Sequence, residues 1–195
     1  MSTTLRELNG LNQEPASLRE ATLILVDYQN TYTRGVMELD GWRPALAAGA
    51  DLLARARAVH AKVIHIVNDG GTGSPYDLGA EIGRIHPELA PVDGEPVVVK
   101  TTPNGFLGTD LGEHIDAAGR EQVVLAGFMT HMCVAFTAAG AFLRGNKPTV
   151  VADACATRPL RTAAGEVSAG QLHTSALATI GDLYGVVVPS AAGLS

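Results

Sequence analysis

Three side chains suited to covalent acyl chemistry each stand just after a short β-branched run. Asp27 follows Thr22-Leu-Ile-Leu-Val26. A carboxylate at the end of a buried strand is placed to act as a base, and partial burial raises its pKa. Lys100 follows Val97-Val-Val99, where a positive charge can hold a nearby carboxylate ionised or orient a substrate. Cys133 lies in Gly127-Phe-Met-Thr-His-Met-Cys133, where a strand ending at about Phe128 gives way to a helix. With Thr130 as N-cap, Cys133 falls in the first turn, whose free N–H groups and dipole favour a thiolate. The same N–H groups can stabilise an oxyanion.

Each residue also has a plain reading. Asp27 fits an Asx turn. Lys100 fits a side chain snorkelling from a sheet edge to solvent. Cys133 fits a small apolar position in a helix that also carries Val134, Phe136, Ala138, Ala139 and Phe142. Taken singly, the plain readings outweigh the chemical ones. Taken together they do not, because an acid, a base and a nucleophile at three strand ends is the set a covalent catalyst needs.

The elements that must position them are legible in the hydrophobic pattern. Runs at Thr22–Val26, Val63–Val67, Val97–Val99, Val123–Leu125, Thr149–Val151 and Val186–Val188 are continuous rather than alternating, as in strands covered on both faces. Helical spacing runs from Pro44 to His60, with Pro44 in the first turn. It recurs from Thr109, as cap, through Ile115 to Gly119, from Thr130 to about Leu143, and over roughly Gly165 to Leu183. This alternation predicts an α/β fold: a three-layer, mostly parallel, six-stranded sheet with helices on both faces. Residues 1–20 read as an N-terminal arm and 21–195 as one domain. Gly70 to Pro96, rich in Gly and Pro, reads as a long surface connection. Ligands of such sheets bind beyond the carboxyl ends of the strands, near a switch in strand order, where the three side chains are predicted to lie.

The 195-residue chain can bury a substantial core, hiding roughly 70% of its unfolded surface. A net charge of −6 argues against a nucleic-acid partner, whose phosphates draw on Lys and Arg. The first twenty residues have no apolar h-region, and no apolar run reaches the roughly 18 residues of a membrane span. A soluble, cytoplasmic protein with no membrane partner is expected. Its two cysteines, Cys133 and Cys155, do not form a disulfide framework.

Four segments in order resemble one family. They are Leu23-Ile-Leu-Val-Asp27-Tyr-Gln-Asn30, Lys100-Thr-Thr-Pro-Asn-Gly-Phe106, Gly127-Phe-Met-Thr-His-Met-Cys133 and Asp153-Ala-Cys-Ala-Thr157. Over about Ala21 to Pro189 the chain resembles the isochorismatase-like cysteine hydrolases, which include nicotinamidases and N-carbamoylsarcosine amidohydrolase. The resemblance implies a hydrolase cleaving the C–N bond of a small amide, carbamoyl or ureido compound through a thioester. Asp27 would take the proton of Cys133, Cys133 would attack the carbonyl, and Lys100 would stabilise charge. Backbone N–H groups of Thr130 and Cys133 would form the oxyanion hole, with a cis peptide at Met129–Thr130. A homo-oligomer, dimer or tetramer, is also implied, and no cofactor.

Nicotinamidases carry a metal site with an Asp-x-His element after the second strand. Here His65-Ile-Val-Asn68 continues as Asp69-Gly-Gly-Thr72, and the six histidines show no zinc-like pairing. No catalytic metal is expected, and His65 reads as a buried structural histidine. True isochorismatases share the Asp and Lys but lack the cysteine, so Cys133 points to acyl chemistry. Cys155 reads as packing. Gln29, Asn30, Tyr32, Phe106 and His131 are the pocket candidates. An isochorismatase-type ether hydrolase and a non-hydrolytic small-molecule-binding member of the same fold remain as alternatives. A dinucleotide-binding protein is disfavoured, because no G-x-G-x-x-G follows the first strand.

Overall fold

A computed structural model describes residues 2–194. In chain order the elements are α1 (Leu5–Leu8), β1 (Ala21–Val26), α2 (Trp42–Ala58), β2 (Lys62–Asn68), β3 (Val97–Lys100), α3 (Leu111–Ala118) and β4 (Gln122–Phe128). A π-helical turn, Thr130–Val134, then leads into α4 (Ala135–Leu143). The chain continues through β5 (Lys147–Ala156), the short strands β6 (Leu160–Thr162) and β7 (Gly165–Val167), α5 (Ala169–Thr179), a second π-helical turn (Ile180–Tyr184) and β8 (Val186–Val188).

Six strands form one sheet in the order β3-β2-β1-β4-β5-β8, and every neighbouring pair is parallel. The chain moves outward from β1 through β2 to β3, then returns to the other side of β1 as β4. The ends of β1 and β4 therefore flank the switch in strand order, the place where such sheets bind ligands.

All six predicted runs are strands, and the reason they lack alternation is visible in β1. Leu23 and Leu25 join a core with Leu46, Leu52 and Leu53 of α2. Ile24 and Val26 join a second core on the other face with Leu111 and Ile115 of α3 and Ala138 and Ala141 of α4. Both faces are covered, so both sets of residues must be apolar. Each such large aliphatic side chain contributes about 1.5–3 kcal/mol when fully buried.

Gly127 fixes how closely the two central strands approach at the site. It holds φ at +142°, and a Cβ there would lie 2.0 Å from the carbonyl oxygen of Val26. Only glycine permits that approach.

Two helix predictions change. The Gly165–Leu183 stretch opens with β7, which pairs antiparallel with the preceding β6, and the helix begins only at Ala169. Ser168 and Gln171 form a capping box, a start signal that lay inside the expected helix. Thr109, expected as the cap of α3, stands one residue before the cap position, which Asp110 holds, and the helix begins at Leu111. The Thr109 hydroxyl donates to the carbonyl of Gly105 at 2.5 Å and accepts from the N–H of Leu111 at 3.3 Å.

Three backbone N–H groups between Leu5 and Ser17 tie the N-terminal segment to the rest of the chain. The Leu5 N–H donates to Asp182, the Ala16 N–H to the Thr149 hydroxyl and the Ser17 N–H to Gln122. Among the described residues no helix is long and apolar enough to cross a membrane.

Candidate active site

The carboxyl ends of β1 and β3 and the turn after β4 bring Asp27, Lys100 and Cys133 together. Asp27 is the residue after β1, with its N–H bonded to the carbonyl of Ile66 in β2. Its φ of +50° is left-handed, a conformation Asp tolerates better than most residues. Lys100 ends β3, in register with Asn68. Its ammonium lies 2.7 Å from Asp27 Oδ2, 3.3 Å from Cys133 Sγ and 3.4 Å from Asn68 Oδ1. All three side chains are buried, with Asp27 wholly inaccessible.

The ammonium meets the carboxylate at ion-pair distance, and both Lys100 and the Cys133 thiol bear on the Asp27 oxygens. Burial raises the pKa of Asp27, against the opposing pull of Lys100. Burial alone would lower that of Lys100, but the charges of Asp27 and Cys133 outweigh it and raise the value. Cys133 is pushed up to about 12, by burial first and then by Asp27, with Lys100 acting the other way. Desolvation and the neighbouring carboxylate thus oppose the thiolate that a helix terminus favours.

The turn that presents Cys133 also differs in detail. The cis peptide joins Phe128 to Met129, one bond before the expected Met129–Thr130. Neither bond involves proline, so the local sequence has no marker for which one turns. Thr130 is not the N-cap but the first residue of the helix, and Met129 holds the cap position. The carbonyl of Met129 accepts from Met132 at 3.0 Å and from Val134 at 3.3 Å, the second being the wide π-type bond. The Thr130 hydroxyl is instead 2.9 Å from Nδ1 of His173. The N–H of Thr130, at the first helical position, has no acceptor among the described residues.

The pocket candidates separate into two groups. Gln29 is consumed by the scaffold. Its amide donates to the carbonyls of Asn68 and Gly83, at 2.9 and 2.6 Å, and accepts from the N–H of Asn68. Asn30 donates to the carbonyl of Glu81 at 2.8 Å. Both residues fasten the Gly70–Pro96 segment over the strand ends, which occupies the Gln29 amide and the Asn30 amide nitrogen. Phe106 packs on α4 at Gly140, where a Cβ would come within 2.8 Å of its ring, and beneath Arg144. His131 bonds the Thr157 hydroxyl at 2.6 Å, and burial lowers its pKa. Tyr32 lies near enough to Asp27 and Cys133 to feel them: burial first, then Asp27 and Cys133, raises its pKa well above the ordinary value.

Two neighbours of the site lie far from the motifs in sequence. Tyr76, from the long connection, packs edge-on against Tyr32 and feels the charges of Cys133 and Asp27. Arg158, just past β5, adds its charge to burial in lowering the pKa of His131 and opposes the burial that raises that of Tyr76, and its Nε is buried with no partner. The Pro-Tyr-Asp and Thr-Arg-Pro contexts carry no motif, so only the chain's return across the strand ends identifies them.

The remaining residues are structural. His65 is buried and bonds Glu95 at 2.9 Å, and burial lowers its pKa against the opposing pull of Glu95. The Cys155 thiol donates to the carbonyl of Val151 at 3.3 Å. No group of three or more His, Cys, Asp or Glu side chains among the described residues is placed to hold a metal ion.

Known proteins share this arrangement of elements. The model of the isochorismatase domain matches residues 21–188. The secreted isochorismatase effector Isc1 of Verticillium dahliae is 32% identical over 96% of this chain and 97% of its own length. The ureidoacrylate amidohydrolase RutB of Stutzerimonas stutzeri is 30% identical, covering 72% of each chain. The crystal structure of an isochorismatase from Pseudomonas putida KT2440 superposes with a TM-score of 0.96 over the full length of both chains, at 35% identity. Sheet order, strand-end side chains and these matches agree: the chain belongs to the isochorismatase family of hydrolases.

Proposed function

We propose that this hydrolase cleaves the C–N bond of a small amide, carbamoyl or ureido compound through a thioester on Cys133. The observation that carries the reading is one ammonium, Lys100 Nζ, held 2.7 Å from a carboxylate and 3.3 Å from a thiol in a buried site. An ether hydrolase working by protonation needs the acid and the lysine, but gives a buried thiol nothing to do.

The thiol is neutral at rest, so its proton moves to Asp27 as sulfur attacks the carbonyl carbon. The C–S bond forms and the carbonyl π pair moves to oxygen. N–H groups of Thr130 and Cys133, at the start of the helix, stabilise that oxyanion. Collapse expels the amine, which takes the proton from Asp27. A water molecule, deprotonated by Asp27, then hydrolyses the thioester and restores the thiol. Lys100 stays protonated throughout and holds the two developing negative charges in place.

Arg158 narrows the substrate class. A guanidinium beside the tyrosine wall with an unpartnered, buried Nε suits a substrate that carries a carboxylate away from its amide. The relative RutB is named for such a compound, a ureido acid.

Ammonia release from a panel of carbamoyl, ureido and simple amide acids, with Cys133→Ala as control, tests the reading. Turnover that depends on Cys133 is expected. Two relatives carry the isochorismatase name, which favours ether cleavage as the second reading. Isochorismate turnover that survives Cys133→Ala, with no amide consumed, would establish it instead.

A further inference from the structure

We propose that the cleft between the N-terminal segment and the amino ends of β4, β5 and β8 binds a small aromatic carboxylate, with Arg6 as its anchor. This site is separate from the strand-end chemistry and does not rest on it. Its walls include Gln122, Lys147 and Val186, at the opposite end of the sheet from Asp27. The cavity encloses ≈ 340 Å³, within the roughly 300–1,000 Å³ of small-molecule sites.

The argument begins with an uncompensated charge. Arg6 is only 7% exposed. Nη1 donates to the carbonyl of Leu183 at 3.0 Å and Nη2 to the carbonyl of Asn12, while Nε has no partner. Both acceptors are neutral, so the hydrogen bonds hold the fork in place without balancing its charge. Among the described residues no carboxylate forms an ion pair with it. A buried charge left this way is unfavourable, and an anion entering the cleft offsets it.

The walls select the anion. Leu11, Phe142, Pro148 and Val186 are apolar and suit the faces of a ring. The other lining cation, Lys147, is already paired with Glu121 at 2.6 Å. With Nη1 and Nη2 each already donating to a carbonyl and Nε sealed from solvent, the guanidinium has few spare donors. That matches a planar monocarboxylate better than a phosphate, which needs donors on several sides. Glu14, exposed at the rim, is the lining carboxylate that could compete for Arg6.

Isothermal titration of the full chain with benzoate, and with benzyl alcohol as its neutral counterpart, tests the site. One benzoate is expected to bind and benzyl alcohol is not. Arg6→Gln should weaken benzoate at least tenfold, and Glu14→Gln should tighten it. Val186→Phe, which fills the cleft and leaves Arg6 intact, should abolish binding and so decides the matter if Arg6→Gln folds poorly. Arg158→Gln should leave the affinity unchanged. Absence of binding to the wild-type chain overturns the proposal. So does binding that survives both Arg6→Gln and Val186→Phe, or that is lost in Arg158→Gln, which would place benzoate at the strand-end site. Glu14→Gln that lowers the melting temperature and gains no affinity would make Glu14 the partner of Arg6.

Discussion

Lys100, at the end of β3, reaches past the end of β2 to place its Nζ 2.7 Å from Oδ2 of Asp27, at the end of β1. Neither side chain is accessible to solvent. An isolated buried ammonium or carboxylate is strongly disfavoured, so each makes the other tolerable. Removing one alone should therefore cost stability as well as activity. Lys100→Met is expected to destabilise by about 3–5 kcal/mol, because Asp27 is left without its cation. The double variant Asp27→Asn/Lys100→Met should recover most of that loss and none of the turnover. Urea denaturation of the single and double variants checks this; additive losses would mean that the pair is not coupled.

Replacing Cys133 separates chemistry from fold. Cys133→Ala is expected to lower amide turnover by at least about a thousandfold, since no other group can form the thioester. The thiol is small and its loss should move the melting temperature little. Cys155→Ala, at the buried thiol bonded to Val151, should leave turnover near wild type. Steady-state rates with a common substrate measure both.

The acid limb of kcat/KM reports the base. Burial raises Asp27 above its ordinary value of 3.8, so activity should fall with acidification earlier than an exposed Asp would allow. On the alkaline side, a thiol at about 12 gives no gain in rate near the roughly 8.5 at which a free cysteine ionises. A pH–rate profile that rises through that value would show a thiolate mechanism instead.

Arg158 should act on binding more than on chemistry. Arg158→Ala is expected to raise KM about tenfold to a hundredfold for a substrate bearing a carboxylate, the equivalent of roughly 1.5–3 kcal/mol for a charge-assisted hydrogen bond. An uncharged amide of the same size should show almost no change. Equal loss for both substrates would assign Arg158 a structural role.

Far from the site, Glu95 accepts from Arg57 at 2.7 Å and from His65 at 2.9 Å. Burial alone would raise its pKa, but the bonds from Arg57, His65 and the Val92 N–H together lower it to about 2. A depressed carboxyl stabilises the fold above its unfolded value of 4.5, and that contribution disappears as pH falls toward 2. Glu95→Gln should therefore destabilise by about 1–3 kcal/mol at pH 7, with the difference from wild type shrinking steadily below pH 4.5. Denaturant melts at pH 7 and pH 3 measure it.

The sequence by itself determined the six strands, the layers around them and the three side chains at the strand ends. These depend on short-range signals: an apolar run covered on both faces, and the first polar residue after it. Cys155 and His65 also read correctly as interior residues, because their flanks are apolar on every side. What the tertiary structure decided depends on distant partners. Whether Gln29 meets substrate or scaffold turned on where Gly83 lies, and whether Asn30 does turned on Glu81. The raised pKa of Cys133 follows from burial beside Asp27, which no local pattern encodes. Tyr76 and Arg158 reach the site only because a long connection and the strand beyond Cys133 return across the same sheet edge. Spacing along the chain fixes which residues stand at a strand end, whereas packing fixes which of their atoms are left for chemistry.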